Sequence, residues 1–296
     1  LLPSFSQNDQ GAIPFMLIET AHLNNIRDCA ISPDGDEIYF THQKPDFSYS
    51  VIYQLLKLNG TWGKPKMMSF FKKSLDMEPA FSPDGLRLYF VSDHAHGNGE
   101  KNFDIWYLER KNETDEWSEP VHPKASFNSD ANEFYPSICS NGDVYFTSDR
   151  IGTKGKDDIF CSRFDKGAYQ EAFSLSDSIN TTDTEYNAFV SPDGSFLIFG
   201  AYKRADGYGS GDLYISFKQK DETWSFAQNL GPKVNSTRMD YCPFVDLKNK
   251  IFYFTSKRDL ENSRDDLKES NNPKKYPGGQ SRLFSLPLSA IEEFGI

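Results

Sequence analysis

Five short segments of this chain carry acids in a pattern that could do chemistry. They are Arg27-Asp28-Cys29, Asp76-Met77-Glu78-Pro79, Glu133-Phe134-Tyr135-Pro136, Glu185-Tyr186-Asn187-Ala188 and Asp240-Tyr241-Cys242-Pro243. Each lies just upstream of a recurring turn. Glu133, Glu185 and Asp240 stand six residues before the first turn position, as does Asp76; Asp28 and Glu78 stand four before theirs. Carboxylates that converge repel one another, so they share protons, take up an arginine or bind cations. Beside aromatic rings they also suit a sugar, whose apolar face stacks while its hydroxyls donate to the acids. The ligand-binding candidates are therefore Glu133, Tyr135, Arg150, Glu185, Tyr186, Asp240 and Tyr241. A purely structural use competes with this reading, because an acid repeated at one place can serve simply to bond neighbouring backbone.

The segments must be positioned by something that repeats. Ser32-Pro33-Asp34-Gly35 recurs as Ser82-Pro83-Asp84-Gly85 and Ser191-Pro192-Asp193-Gly194, with degenerate copies at Cys139-Ser140-Asn141-Gly142 and Asp246-Leu247-Lys248-Asn249. The fourth positions are spaced by 50, 57, 52 and 55 residues. Proline suits the first corner of a tight turn and glycine the left-handed residue after it; Asn249 is expected to take that role in the fifth copy. Each turn leads into a strand with an aromatic pair or its equivalent: Tyr39-Phe40, Tyr89-Phe90, Tyr145-Phe146, Ile198-Phe199 and Tyr253-Phe254. A polar loop follows, then a third strand, begun clearly by Asp104-Ile105-Trp106, Asp158-Ile159-Phe160 and Asp212-Leu213-Tyr214. A fourth strand is expected around Trp62, Trp117, Tyr169 and Trp224, with Pro65 and Pro120 three residues after the first two.

Four short antiparallel strands per repeat of about 50 residues mark a propeller blade. The fifth repeat runs out of chain before its fourth strand. Pro14 precedes the first turn by almost the same distance as Pro65 precedes the second, so the strand near Pro14–Ile18 is expected to complete the last blade beside Arg282–Leu288. The expected fold is all-β: a single five-bladed β-propeller of four-stranded antiparallel blades over residues 1–296, with ordered blades over about 11–290 and a long polar loop at 259–280. That loop reads as a solvated insertion or a lid over the ligand face.

These turns and strands resemble the TolB-like β-propeller repeat, over nearly the whole chain. The resemblance implies a non-catalytic ligand-binding or protein-interaction module, extracytoplasmic (periplasmic or secreted), with a carbohydrate or another envelope protein as partner. The chain is expected to depart from the best-known member in blade number, five rather than six, and in lacking an attached second domain. The alternative is a carbohydrate-active enzyme. Glycoside cleavage needs carboxylates on either side of a sugar, one of them held protonated. Five-bladed propeller glycosidases carry such acids on successive innermost strands, a placement similar to Asp28, Glu78 and Glu133 here.

Composition excludes several classes. Lys and Arg number 32 against 43 Asp and Glu, a net charge of -11, so no nucleic-acid footprint exists. No apolar run is long enough for a membrane helix. There is no Gly-x-Ser-x-Gly elbow and no phosphate-binding glycine loop. No cofactor is expected. Four cysteines without a CxxC pair, and five histidines of which only His94 and His96 are close in sequence, argue against a metal centre, although an acidic ring could hold calcium. Cys29 and Cys242 differ by one in their distance from the turn, so they should point to opposite faces and stay unbonded; buried free thiols are expected. Residues 1–10 lack a signal-peptide pattern, which fits either a cytoplasmic protein or one whose signal has been removed. A monomer is expected.

Overall fold

The computed structural model describes residues 11–16, 19–20, 22–68, 70–71, 73–95, 101–259 and 279–296. His96, Leu17, Ile18 and nearly all of the 259–280 loop lie outside them. The described residues form five antiparallel blades arranged in a ring, a five-bladed β-propeller. The innermost strands are Ile26–Ile31, Asp76–Phe81, Glu133–Ile138, Glu185–Val190 and Asp240–Asp246. Each touches the next around the axis, and the fifth touches the first.

The aromatic pairs explain why the blades stack. Side chains alternate faces along a strand, so adjacent residues point to opposite sides of the sheet. Tyr39, Tyr89, Tyr145, Ile198 and Tyr253 enter the core shared with the following blade. Phe40, Phe90, Phe146, Phe199 and Phe254 enter the core shared with the preceding one. All ten are at most 4 % exposed. The hydrophobic core is thus five separate wedges, one between each pair of neighbours.

The ring closes as expected. Ile13 and Pro14 pair with Ser285 and Phe284, and the amide of Phe15 donates to Leu283 O at 2.8 Å. Phe15 and Met16 are then buried in the wedge between the fifth and first blades, the Phe15 ring 4.8 Å from that of Tyr253.

Two local expectations need correction. The aromatic residue expected on the fourth strand closes a small hairpin off the end of the third instead: Trp62 opposes Lys57, Tyr169 opposes Phe164 and Trp224 opposes Lys218. The outermost strand comes later and is only two residues long, as at Lys66–Met67, Phe173–Ser174 and Gln228–Asn229. In the turns, Gly35, Gly85, Gly142 and Gly194 do take positive φ, but the left-handed residue of the fifth turn is Lys250 (φ 56°), not Asn249. The Asn249 amide group bonds the Asp246 carboxylate at 2.7 Å, which holds the asparagine within the turn and passes the reversal to the next residue.

Candidate functional site

One backbone device recurs in every innermost strand. Its pairing with the second strand slips by a bulge, and the slipped residue is left-handed: Asp28 (φ 47°), Glu78 (57°), Tyr135 (51°), Asn187 (50°) and Cys242 (50°). All five stand four residues before the turn. A left-handed non-glycine residue is uncommon and costs on the order of 1 kcal/mol, so five at one height must be held by their surroundings. The amide of Glu78 donates to Asp28 Oδ2 (2.9 Å), that of Tyr135 to Glu78 Oε2 (2.7 Å), that of Asn187 to Thr147 Oγ1 (3.0 Å) and that of Asp28 to Thr255 Oγ1 (2.9 Å). Strained backbone and axial side chains thereby support one another.

The side chains at this height meet across the axis. Arg27 donates through Nε to Asp28 Oδ1 at 2.6 Å and through Nη2 to Glu78 Oε1 at 2.5 Å. Asn187 Nδ2 reaches the same Glu78 oxygen at 3.3 Å, and the Cys242 thiol lies 3.4–3.5 Å from Arg27 Nη2, Asp28 Oδ1 and Asn187 Oδ1. Burial pushes the Glu78 carboxyl up to about 7, with Arg27 opposing and Asp28 adding to the rise. Burial also disfavours the Arg27 charge, yet Asp28, Cys242 and Glu78 together hold its pKa well above the usual guanidinium value.

This polar plug divides the channel. On the side of the connections between blades, a cavity of about 180 Å³ is floored by Arg27, Glu78 and Asn187 and walled by Phe134, Tyr186 and Tyr241. On the side of the turns lies a mostly apolar cavity of about 230 Å³, whose walls include Ile31, Phe81, Ile138, Val190 and Val245.

The expected site residues divide accordingly. Asp28 and Glu78 come together at the axis; Tyr186 and Tyr241 come together at the mouth. Tyr135 packs in one small apolar cluster with Tyr241 and Tyr186 but lines the opposite cavity. It stands four residues before its turn where they stand five before theirs, so its ring turns to the far side and Oη donates to Pro243 O at 2.9 Å. Phe134 takes the place expected for it.

Glu133, Glu185 and Asp240 are wholly buried, and no bond joins one of them to another among the described residues. Each is enclosed by its own blade and the connection leading into it. Glu133 accepts from Ser129 N (3.0 Å), Ser129 Oγ (2.6 Å) and Arg150 Nη2 (2.8 Å). Glu185 accepts from Thr181 N and Oγ1 (both 2.8 Å) and Arg204 Nη2 (2.9 Å). Asp240 accepts from Ser236 N (2.6 Å), Ser236 Oγ (2.8 Å) and Arg258 Nη2 (2.7 Å). Burial pushes the Glu133 carboxyl up to about 7 against the opposing pull of Ser129 and Arg150. Arg150 also donates to Ser126 O and Phe127 O, both at 3.0 Å, which ties the connection down.

Arg27, Asn187 and Cys242 are the members of the axial group that residue type alone did not single out. Their shared signal is position, four or five residues before the turn. Among the described residues no group of three or more His, Cys, Asp or Glu could hold a metal ion, and all four cysteines are free and buried. No described helix is long and apolar enough to cross a membrane.

No protein-family model and no curated protein sequence matches this chain. Solved structures do share its fold. A glycoside hydrolase aligns with a TM-score of 0.56 at 10% identity, over 90% of this chain and 87% of that one. The α-L-arabinofuranosidase of Lactobacillus brevis aligns with a TM-score of 0.53 at 14% identity, over 88% and 90%. TolB from Acinetobacter baumannii aligns with a TM-score of 0.46 at 16% identity over 88% of this chain, which spans about half of that one (54%). At these identities the likeness is one of fold, and the class it defines is the β-propeller.

Proposed function

We propose that this is a non-catalytic binding propeller whose ligand, a neutral polyhydroxylated molecule of the carbohydrate class, enters the cavity over Arg27, Glu78 and Asn187. The observation that carries the reading is the Arg27 guanidinium lodged between Asp28 and Glu78. Glycoside hydrolysis needs one carboxylate free to attack or to activate water and another free to give a proton. Here one cation occupies both, and Glu133 is enclosed elsewhere. What remains at the mouth is three aromatic walls above a floor of fixed donors and acceptors, which suits a sugar ring. An extracytoplasmic location and a monomeric state belong to the same proposal; they rest on the likeness of the repeat, and fractionation and light scattering test them.

Calorimetry against a panel of neutral oligosaccharides, alongside turnover assays with aryl glycosides, tests the function. Binding without turnover, weakened at least fivefold by Phe134→Ala, is the expected result. Hydrolysis is the second reading, favoured by a Glu78 carboxyl pushed up to about 7 and thus able to donate a proton at neutral pH. Turnover abolished by Glu78→Gln would establish it and overturn the first.

A further inference from the structure

The second blade departs from the others at one point. In the third, fourth and fifth blades the buried acid meets an arginine from the loop after the second strand, and each guanidinium also lies over two aromatic rings of its own blade at 4.8–5.3 Å. In the first blade both partners are gone: Ile26 stands in the acid's place and Lys44 in the arginine's. The second blade keeps the acid, Asp76, and loses the arginine. His94 stands there, its imidazole stacked on Phe71 at 3.8 Å and 3°.

Asp76 is 3 % exposed. The Ser74 and Ser92 hydroxyls both donate to Oδ1, at 2.8 and 2.7 Å; among the described residues nothing donates to Oδ2, and no basic side chain pairs with the carboxylate. Beside it opens a cleft of about 410 Å³ lined by Tyr49, Met67, Met68, Phe71 and Lys73. Among the described residues the nearby charges are otherwise engaged or turned outward. Lys44 lies over the Tyr49 ring at 6.0 Å, Asp93 accepts from Leu75 N and pairs with Lys101, and Lys73 is exposed at the rim.

We propose that this cleft binds an alkylguanidinium, whose head supplies from outside the cation that Arg150, Arg204 and Arg258 supply from within. A buried carboxylate without a counter-charge is costly, and a charge-assisted bond to a planar guanidinium relieves that cost. The aromatic and thioether walls cover the alkyl stem and attract the cation. A divalent metal ion is a poor fit, because one carboxylate and apolar walls offer too few oxygen ligands.

The test is calorimetry on the full chain with butylguanidinium, its neutral isostere butylurea, and a peptide with blocked ends carrying a single arginine. Butylguanidinium should bind and butylurea should not. Affinity should rise between pH 5 and 7.5 as Asp76 ionises, with Lys73, Asp93 and His94 the other titrating groups at hand. Asp76→Asn should weaken binding at least tenfold. His94→Arg should do the same by placing an internal guanidinium on Asp76, and should raise the melting temperature, which shows that the loss is not misfolding. A peptide that binds more than tenfold tighter than butylguanidinium identifies the source as an arginine of a partner chain; equal affinities identify a free guanidinium. Equal affinity for butylguanidinium and butylurea, unchanged affinity in Asp76→Asn, or no binding of either guanidinium probe overturns the proposal.

Discussion

Removing the axial cation gives the sharpest test of how the channel is held. Arg27→Met preserves much of the side chain's apolar volume and deletes the charge between Asp28 and Glu78. Arg27 is 9 % exposed, Asp28 1 % and Glu78 3 %, so solvent cannot take over the role. Breaking a buried pair by deleting one partner costs about 3–5 kcal/mol. The cost should depend on pH in a definite sense. The Glu78 carboxyl in the folded protein sits at about 7, above its ordinary value, because burial disfavours its charge. A carboxyl raised in this way contributes stability that is present in full below its unfolded pKa and is lost as pH rises through the folded one. Without Arg27 its folded pKa climbs further. At pH 8 the variant must either hold two unpaired carboxylates or keep Glu78 protonated at a cost that grows with pH, and should show the full loss; at pH 5 Glu78 is protonated in the folded variant, and the loss should fall to about 1–2 kcal/mol, the scale of a single lost charge-assisted hydrogen bond. The assay is urea unfolding at the two pH values. With a slope of about 3 kcal/mol per molar urea for a chain of this size, the midpoint should fall by about 1–1.5 M at pH 8 and by less than half of that at pH 5. A shift under about 0.3 M at pH 8, or equal shifts at both pH values, would show that Arg27 is not the counter-charge that holds the plug together.

Ring closure should be costly to undo. Deleting residues 1–16 removes the pairing at Ser285 and Phe284 and two buried side chains, Phe15 and Met16, worth about 3–6 kcal/mol between them; a truncated chain that melts with the parent would refute the closure. Asp76 is pushed up to about 6 by burial, so its contribution is present at low pH and lost as pH rises through 6. Asp76→Asn should therefore raise stability on the order of 2–3 kcal/mol at pH 8 and leave it little changed at pH 4, read as melting temperature against pH. Burial raises the pKa of Cys29, Cys139, Cys161 and Cys242 alike, so a disulfide reagent should find no reactive thiol in the native protein and four after denaturation without reductant. Gly209→Ala should impair folding, since an added Cβ would lie 1.8 Å from the backbone oxygen of Arg238; soluble expression at the parent level would contradict that.

How far the sequence could be read depended on which part of the repeat carried a side-chain signature. The turns, the aromatic pairs and the strand that closes the ring each repeat a residue type, because each fills a wedge or a tight reversal that every blade must build. They place Tyr39 and Phe40, or Pro14 beside Phe284, with little ambiguity. The axial group follows the opposite logic. The five left-handed residues that build it share a backbone conformation and a position, while their side chains are Asp, Glu, Tyr, Asn and Cys; the cation, Arg27, joins from one residue upstream. Five identical acids at one height would repel, so the axis needs unlike groups that complement one another, and a search for recurring residue types passes over them. The acids that do recur, Glu133, Glu185 and Asp240, recur because each blade needs the same enclosed bond to its entering connection. A fuller pattern was present in the chain: Ser129, Thr181 and Ser236 each stand four residues before those acids, and Arg150, Arg204 and Arg258 each follow by 17 to 19. A donor, an acid and a cation that recur together describe a closed set of partners, and a closed set has nothing left for a ligand. The informative places are those where the set is broken, at Asp76 without its arginine, and those where no type repeats at all, at the axis.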